Sequence, residues 1–132
     1  MPRVTWTLRH GRPCIEVVLH LAADGSLVRR TLLADTGAGS RKDRFQLLLD
    51  EDDCLLCGGN PVGPVKLGGA FVGAFPTYML PIQIPALGFR RNLRAVGLPT
   101  TLKGFDGIAC FRFLNHFTYG NFGDPAQFGL ES

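Results

Sequence analysis

Apolar and polar positions alternate with a period of two through much of the chain, which predicts short β-strands separated by turns. Val4-Thr5-Trp6-Thr7-Leu8 alternates apolar and hydroxyl residues until Gly11-Arg12-Pro13 breaks the pattern. Residues 14–21 form a second run, and Ala23-Asp24-Gly25-Ser26 places Asp-Gly at the centre of a hairpin turn. Residues 27–34 read as a third strand that ends in the unbroken apolar run Leu32-Leu33-Ala34. Residues 77–84 read as a strand interrupted by Pro81, which suits an edge or a bulge. A turn follows over 85–92 and another strand over 93–98. A strand ends near Ile108-Ala109, and residues 110–117 have the spacing of a short amphipathic helix. Residues 117–123 alternate like a last strand, leaving 124–132 to add a strand or to remain a loose tail.

The middle of the chain is patterned differently. Ser40-Arg41-Lys42-Asp43-Arg44 is strongly polar, and Phe45-Gln46-Leu47-Leu48-Leu49 fits a short strand or one to two helical turns. Asp50-Glu51-Asp52-Asp53 lacks the alternating acids and central Gly of a calcium loop, so it reads as a solvated acidic turn. Residues 54–64 are read as loop, ending in turn signals. Residues 65–75 carry strand formers on each side of Gly68-Gly69-Ala70-Phe71, a hairpin with a glycine-rich tip.

The chemistry concentrates where the third strand ends, at Leu32-Leu33-Ala34-Asp35-Thr36-Gly37-Ala38-Gly39-Ser40. A buried strand delivers a carboxylate into a tight, sterically open loop, because Gly37 and Gly39 permit backbone angles and approaches that a side chain forbids. A carboxylate stripped of water at a strand end is a setting for acid and base chemistry. An ordinary strand-to-turn junction also uses Asp, Thr and Gly.

The run of two leucines, Ala34, Asp35, Thr36, Gly37 and Ala38 resembles the active-site loop of aspartic proteases, most closely the short retropepsin-like branch. The resemblance extends to the glycine-rich hairpin, similar to the flap that covers substrate in that family. It extends also to Asp106-Gly107-Ile108-Ala109, similar to the segment that supports the catalytic loop in bacterial members. It covers about residues 4–122, with 41–64 unmatched. It implies a mostly β fold: a closed barrel or sandwich, a flap containing Gly68, Gly69, Ala70 and Phe71, and one short helix near the C-terminus. Asp35 is then the catalytic acid, Thr36 bonds across to a partner loop, Gly37 lines the substrate groove, and Ala38 completes the active-site loop. With no second Asp-Thr-Gly or Asp-Ser-Gly in the chain, a working site needs a homodimer. The implied reaction is peptide hydrolysis of an extended substrate, with no cofactor and no metal. Two departures stand out. Cys110 occupies a position where the family usually has Gly. Phe111 replaces the Arg of retroviral members, and the acid that pairs with that Arg is missing after Gly39, so other contacts hold the dimer.

Composition fits a single domain spanning residues 1–132. Seventeen Gly, nine Pro and ten Phe, with 45% hydrophobic residues, describe many short strands around an aromatic-rich core. The net charge of +3 is mild and the arginines are scattered or paired, a solvated surface rather than a nucleic-acid footprint. Without a signal-peptide pattern or a long apolar run, the sequence reads as cytoplasmic and not membrane-spanning, or as a piece cut from a longer precursor.

Cys54 and Cys57 have the spacing of a redox pair or half a metal knuckle, but no second pair or nearby His accompanies them. Ser26, Ser40 and Ser132 lack a nucleophile-elbow context, and His10, His20 and His116 read as structural. The alternative to an aspartic endopeptidase is the same fold used as a peptide- or protein-binding module with catalysis weak or lost, a reading that Cys110 favours.

Overall fold

A computed structural model describes residues 2–39, 43–69 and 71–132. Among the described residues ten strands form two sheets. In chain order they are β1 (Arg3–Thr7), β2 (Cys14–His20), β3 (Leu27–Ala34), β4 (Leu47–Asp50) and β5 (Pro61–Leu67). They continue as β6 (Gly73–Ile84), β7 (Phe89–Leu98), β8 (Gly107–Ala109), β9 (Thr118–Gly120) and β10 (Gln127–Glu131). Helix α1 (Glu51–Leu56) follows β4, and helix α2 (Phe111–Leu114) follows β8. No helix among the described residues is long and apolar enough to cross a membrane.

The larger sheet runs β2-β3-β8-β4-β7-β6-β5, and a further pairing of Val18 with Gln83 joins β2 back to β6. Six strands thus close into a barrel, and β5 hangs from β6 as the outer arm of a hairpin. A barrel wall with apolar groups on both sides explains the unbroken leucine runs. Leu32, Leu47, Leu49, Ala95 and Ala109 point to one cluster with Ile15, Val17, Leu19, Leu80, Ile82 and Phe113. Their neighbours Leu33, Leu48, Val96 and Ile108 point the other way, into a second cluster with Phe45, Phe105 and Cys110. That second cluster is roofed by Val65, Leu67, Phe71 and Phe75 of the hairpin.

The smaller sheet, β1-β10-β9, packs fully buried Leu130 against the first cluster. The last nine residues therefore add a strand, paired in register from Arg3 with Glu131 to Thr7 with Gln127. The alternation expected to end the chain over 117–123 is the short β9.

Three other expectations change. The acidic turn and the loop after it are α1 and most of β5, so the described residues hold two short α-helices rather than one. The Asp50 side chain caps α1 by accepting from Asp52 N–H at 2.9 Å, and the acids of the first turn suit the positive end of the helix. Asp53 is buried because Arg30 of β3 reaches it with two hydrogen bonds of 2.8 and 3.0 Å. The turn expected over 85–92 is narrower: a 3-10 turn at Pro85–Leu87, with β7 starting at Phe89. Pro81 does not end its strand; it lies where β6 has only β7 beside it, so the missing N–H leaves no ladder open.

Candidate functional site

Asp35 leaves β3 directly beside β8. The parallel pairing of Leu32, Leu33 and Ala34 with Gly107, Ile108 and Ala109 ends in a hydrogen bond from Asp35 N–H to Ala109 O at 3.0 Å. The loop then turns on itself. Asp35 O accepts from Ala38 N–H at 3.1 Å, and Asp35 Oδ1 accepts from Gly37 N–H at 2.9 Å. Ala38 O accepts from Phe111 N–H at 3.0 Å, which ties the loop to the start of α2. Gly39 has a φ of 73°, a region that favours glycine. A Cβ there would stand 3.2 Å from the Phe45 ring and 3.6 Å from the Cβ of Cys110.

Beneath the loop, Asp106 holds β3 from the side. Its N–H donates to Thr31 O and its Oδ2 accepts from Thr31 N–H, both at 2.8 Å. Gly107 lies between β3 and β4 with no room for a side chain: a Cβ would collide with the Leu48 backbone oxygen. Asp106, Gly107, Ile108 and Ala109 thus all touch the strand that carries Asp35 or its neighbour across the wall.

Above the loop stands the hairpin, in register from Val65 opposite Phe75 to Leu67 opposite Gly73. Its tip includes Gly68, Gly69 and Phe71, with Gly69 at a φ of 71°. Ala70, expected at this tip, and Ser40, expected in the acidic loop, lie outside the described residues. Between hairpin and loop is a cleft of about 440 Å³. Asp35, Gly37 and Ala38 line it from below and Gly68, Gly69 and Phe71 from above, while Leu33, Leu48 and Ile108 form an apolar floor. Asp35 is half-buried, and Thr36 is exposed beside it.

Several lining residues carry no motif in the sequence. Arg12, Asp43, Phe45 and Leu102 also face the cleft. In the sequence Arg12 belongs to a stretch that marks only a strand break; its place at the cleft follows from β2 lying beside β3.

The thiols are poorly suited to chemistry. Burial pushes the Cys110 thiol up to about 12, with the negative charges of Asp35 and Asp43 adding to it. Burial likewise pushes Cys54 up to about 12 and raises Cys57. All three are neutral and weakly nucleophilic near pH 7. Among the described residues no group of three or more His, Cys, Asp or Glu is placed to hold a metal ion.

The histidines have partners elsewhere. His20 Nε2 lies 2.6 Å from Gln83 Oε1, His116 Nε2 lies 2.8 Å from Gln46 Oε1, and the His10 ring meets Phe105 edge-on. None of them lines the cleft.

No protein-family model and no curated protein sequence matches the chain. Solved structures do. A retropepsin-like aspartic protease from Rickettsia conorii superposes with a TM-score of 0.52 at 15% identity, over 90% of this chain and 92% of that one. A foamy viral protease-reverse transcriptase, solved with an RNA/DNA hybrid, superposes with a TM-score of 0.53 at 14% identity over 80% of this chain. This chain spans 12% of the length of that second protein. The closed barrel, the overhanging hairpin and these two superpositions together make the fold of this chain retropepsin-like.

Proposed function

We propose that this chain is an aspartic endopeptidase that works as a homodimer. The observation that carries the reading is the Asp-Thr-Gly loop at the base of a cleft roofed by a glycine-rich hairpin, on a retropepsin-like fold. One such loop per chain supplies one carboxylate, so two copies related by a twofold axis bring two Asp35 side chains together. Two carboxylates a few ångströms apart share one proton, because both cannot ionise cheaply. The ionised member takes a proton from a water held between them, and that water attacks the peptide carbonyl. The protonated member bonds the developing oxyanion and then protonates the leaving nitrogen.

Each neighbouring residue has a part in this scheme. Thr36, exposed beside Asp35, meets the partner loop, while Gly37 and Ala38 border the substrate. Gly68, Gly69, Ala70 and Phe71 close over an extended peptide held largely through its backbone. Asp106, Gly107, Ile108 and Ala109 keep the loop in place from below. A second reading, a peptide-binding dimer with little turnover, is favoured by Cys110, whose side chain fills space against Gly39.

A peptide library separates the two. An endopeptidase cleaves a subset of the library, and a transition-state-mimicking aspartic protease inhibitor blocks that cleavage. Binding without cleavage supports the second reading, and cleavage indifferent to the inhibitor contradicts the first.

A further inference from the structure

The barrel register fixes where Arg12 stands in the cleft. Cys14 pairs with Leu33, Leu33 with Ile108, and Ile108 with Leu48, so a row of apolar side chains crosses four strands on the side facing the hairpin. With strands about 4.8 Å apart, the row is roughly 14 Å long. Arg12, just ahead of Cys14, borders the cleft at the β2 end, and Asp43 and Phe45 border it at the β4 end.

Arg12 is held there by its surroundings. Arg9 and Arg12 exchange two backbone hydrogen bonds of 3.0 Å, closing a loop in which His10 and Gly11 have φ values of 53° and 72°. The His10 ring packs edge-on against Phe105, with centroids 6.4 Å apart. The Arg12 guanidinium lies 5.8 Å from the centroid of the same buried ring. Phe105 is itself anchored, donating its N–H to Leu102 O and accepting from the Thr101 hydroxyl. Arg12 is exposed and makes no ion pair with a described carboxylate. A cation already positioned on a ring loses less freedom when a partner binds.

Resting on the endopeptidase reading, we propose that Arg12 is a specificity-determining residue that selects substrates with an Asp or Glu beside the apolar side chain seated on Leu33, Ile108 and Leu48. In an extended peptide, same-face side chains are two residues and about 6.8 Å apart, within the length of the row. An ion pair at an exposed rim contributes a factor of about three to five, and salt weakens it.

The test uses fluorescein-labelled octapeptides with a central Phe-Leu pair and Glu or Gln fixed at each other position in turn. Binding is read by anisotropy on Asp35→Asn protein, and cleavage on the unsubstituted protein. At one or more positions Glu should bind about three- to fivefold tighter than Gln at low salt, the gap closing as salt is raised. Arg12→Gln should erase the preference, Arg12→Lys keep part of it, and Arg12→Glu turn it towards Lys-containing peptides. Equal binding of Glu and Gln peptides at every position, or a preference that survives in Arg12→Gln, overturns the role of Arg12. Cleavage without charge preference does so while leaving the peptidase reading standing. A charge preference that depends on Arg12, without cleavage, upholds the residue and removes the peptidase.

Discussion

Asp35→Asn should lower the rate of peptide cleavage by about a thousandfold or more while leaving the fold intact. On the proposed mechanism, both the base that activates water and the acid that assists the leaving group are lost, and each contributes about 10²–10⁴. The substitution keeps the local structure because an Asn oxygen still accepts from Gly37 N–H, the 2.9 Å bond that closes the loop. The backbone bonds of Asp35 to Ala109 and Ala38 do not involve the side chain. The midpoint of thermal unfolding should therefore move by no more than about 2 °C. Turnover equal to that of the parent would remove Asp35 from the chemistry, and a large drop in stability would show that the carboxylate is structural.

The largest effect on stability is expected at Gly107. An alanine there drives its methyl group into the Leu48 carbonyl oxygen and against Leu49 Cδ2 and Leu32 Cδ2, which lie at 3.0 and 3.1 Å from it. β8 cannot slide away, because its three residues are bonded to β3 on one side and to β4 on the other. Overpacking against backbone should cost about 3 kcal/mol, or roughly 10 °C in the unfolding midpoint. Activity should fall as well at temperatures where the protein remains folded, since Ala109 O holds Asp35 N–H. Gly68→Ala is the control for stability, because a Cβ there meets nothing within 4 Å. A Gly107→Ala protein as stable as the control would mean that the wall of the barrel is looser than its packing indicates.

The parts of this fold that were readable in sequence are those whose cause is local. An apolar run driving into Asp35-Thr36-Gly37 announces a strand end and an open loop, and the structure has β3 ending at Ala34. Strand formers on both sides of Gly68-Gly69 announce a hairpin, and β5 and β6 form one. Helix α1 is hidden in the sequence although its cap and first-turn acids are in view, because four successive acids suggest water. Asp53 enters the core only through Arg30, 23 residues earlier on another strand. The same holds for β10, whose partner lies at the opposite end of the chain, where Arg3 also bonds Glu131 at 2.9 Å. Arg12 gained meaning in the same way: a residue next to a proline became a cleft residue once β2 was set beside β3.

The claim on which the rest depends is that two chains share one site, and mixing chains tests it most directly. Unsubstituted protein is held at fixed concentration while Asp35→Asn protein is added, and peptide cleavage is followed after the subunits have exchanged. At a nine-to-one excess, random pairing leaves about a tenth of the unsubstituted chains with an unsubstituted partner, so activity should fall to about a tenth. Activity that stays level through the titration, or that persists in a demonstrated monomer, would contradict a shared pair of Asp35 carboxylates.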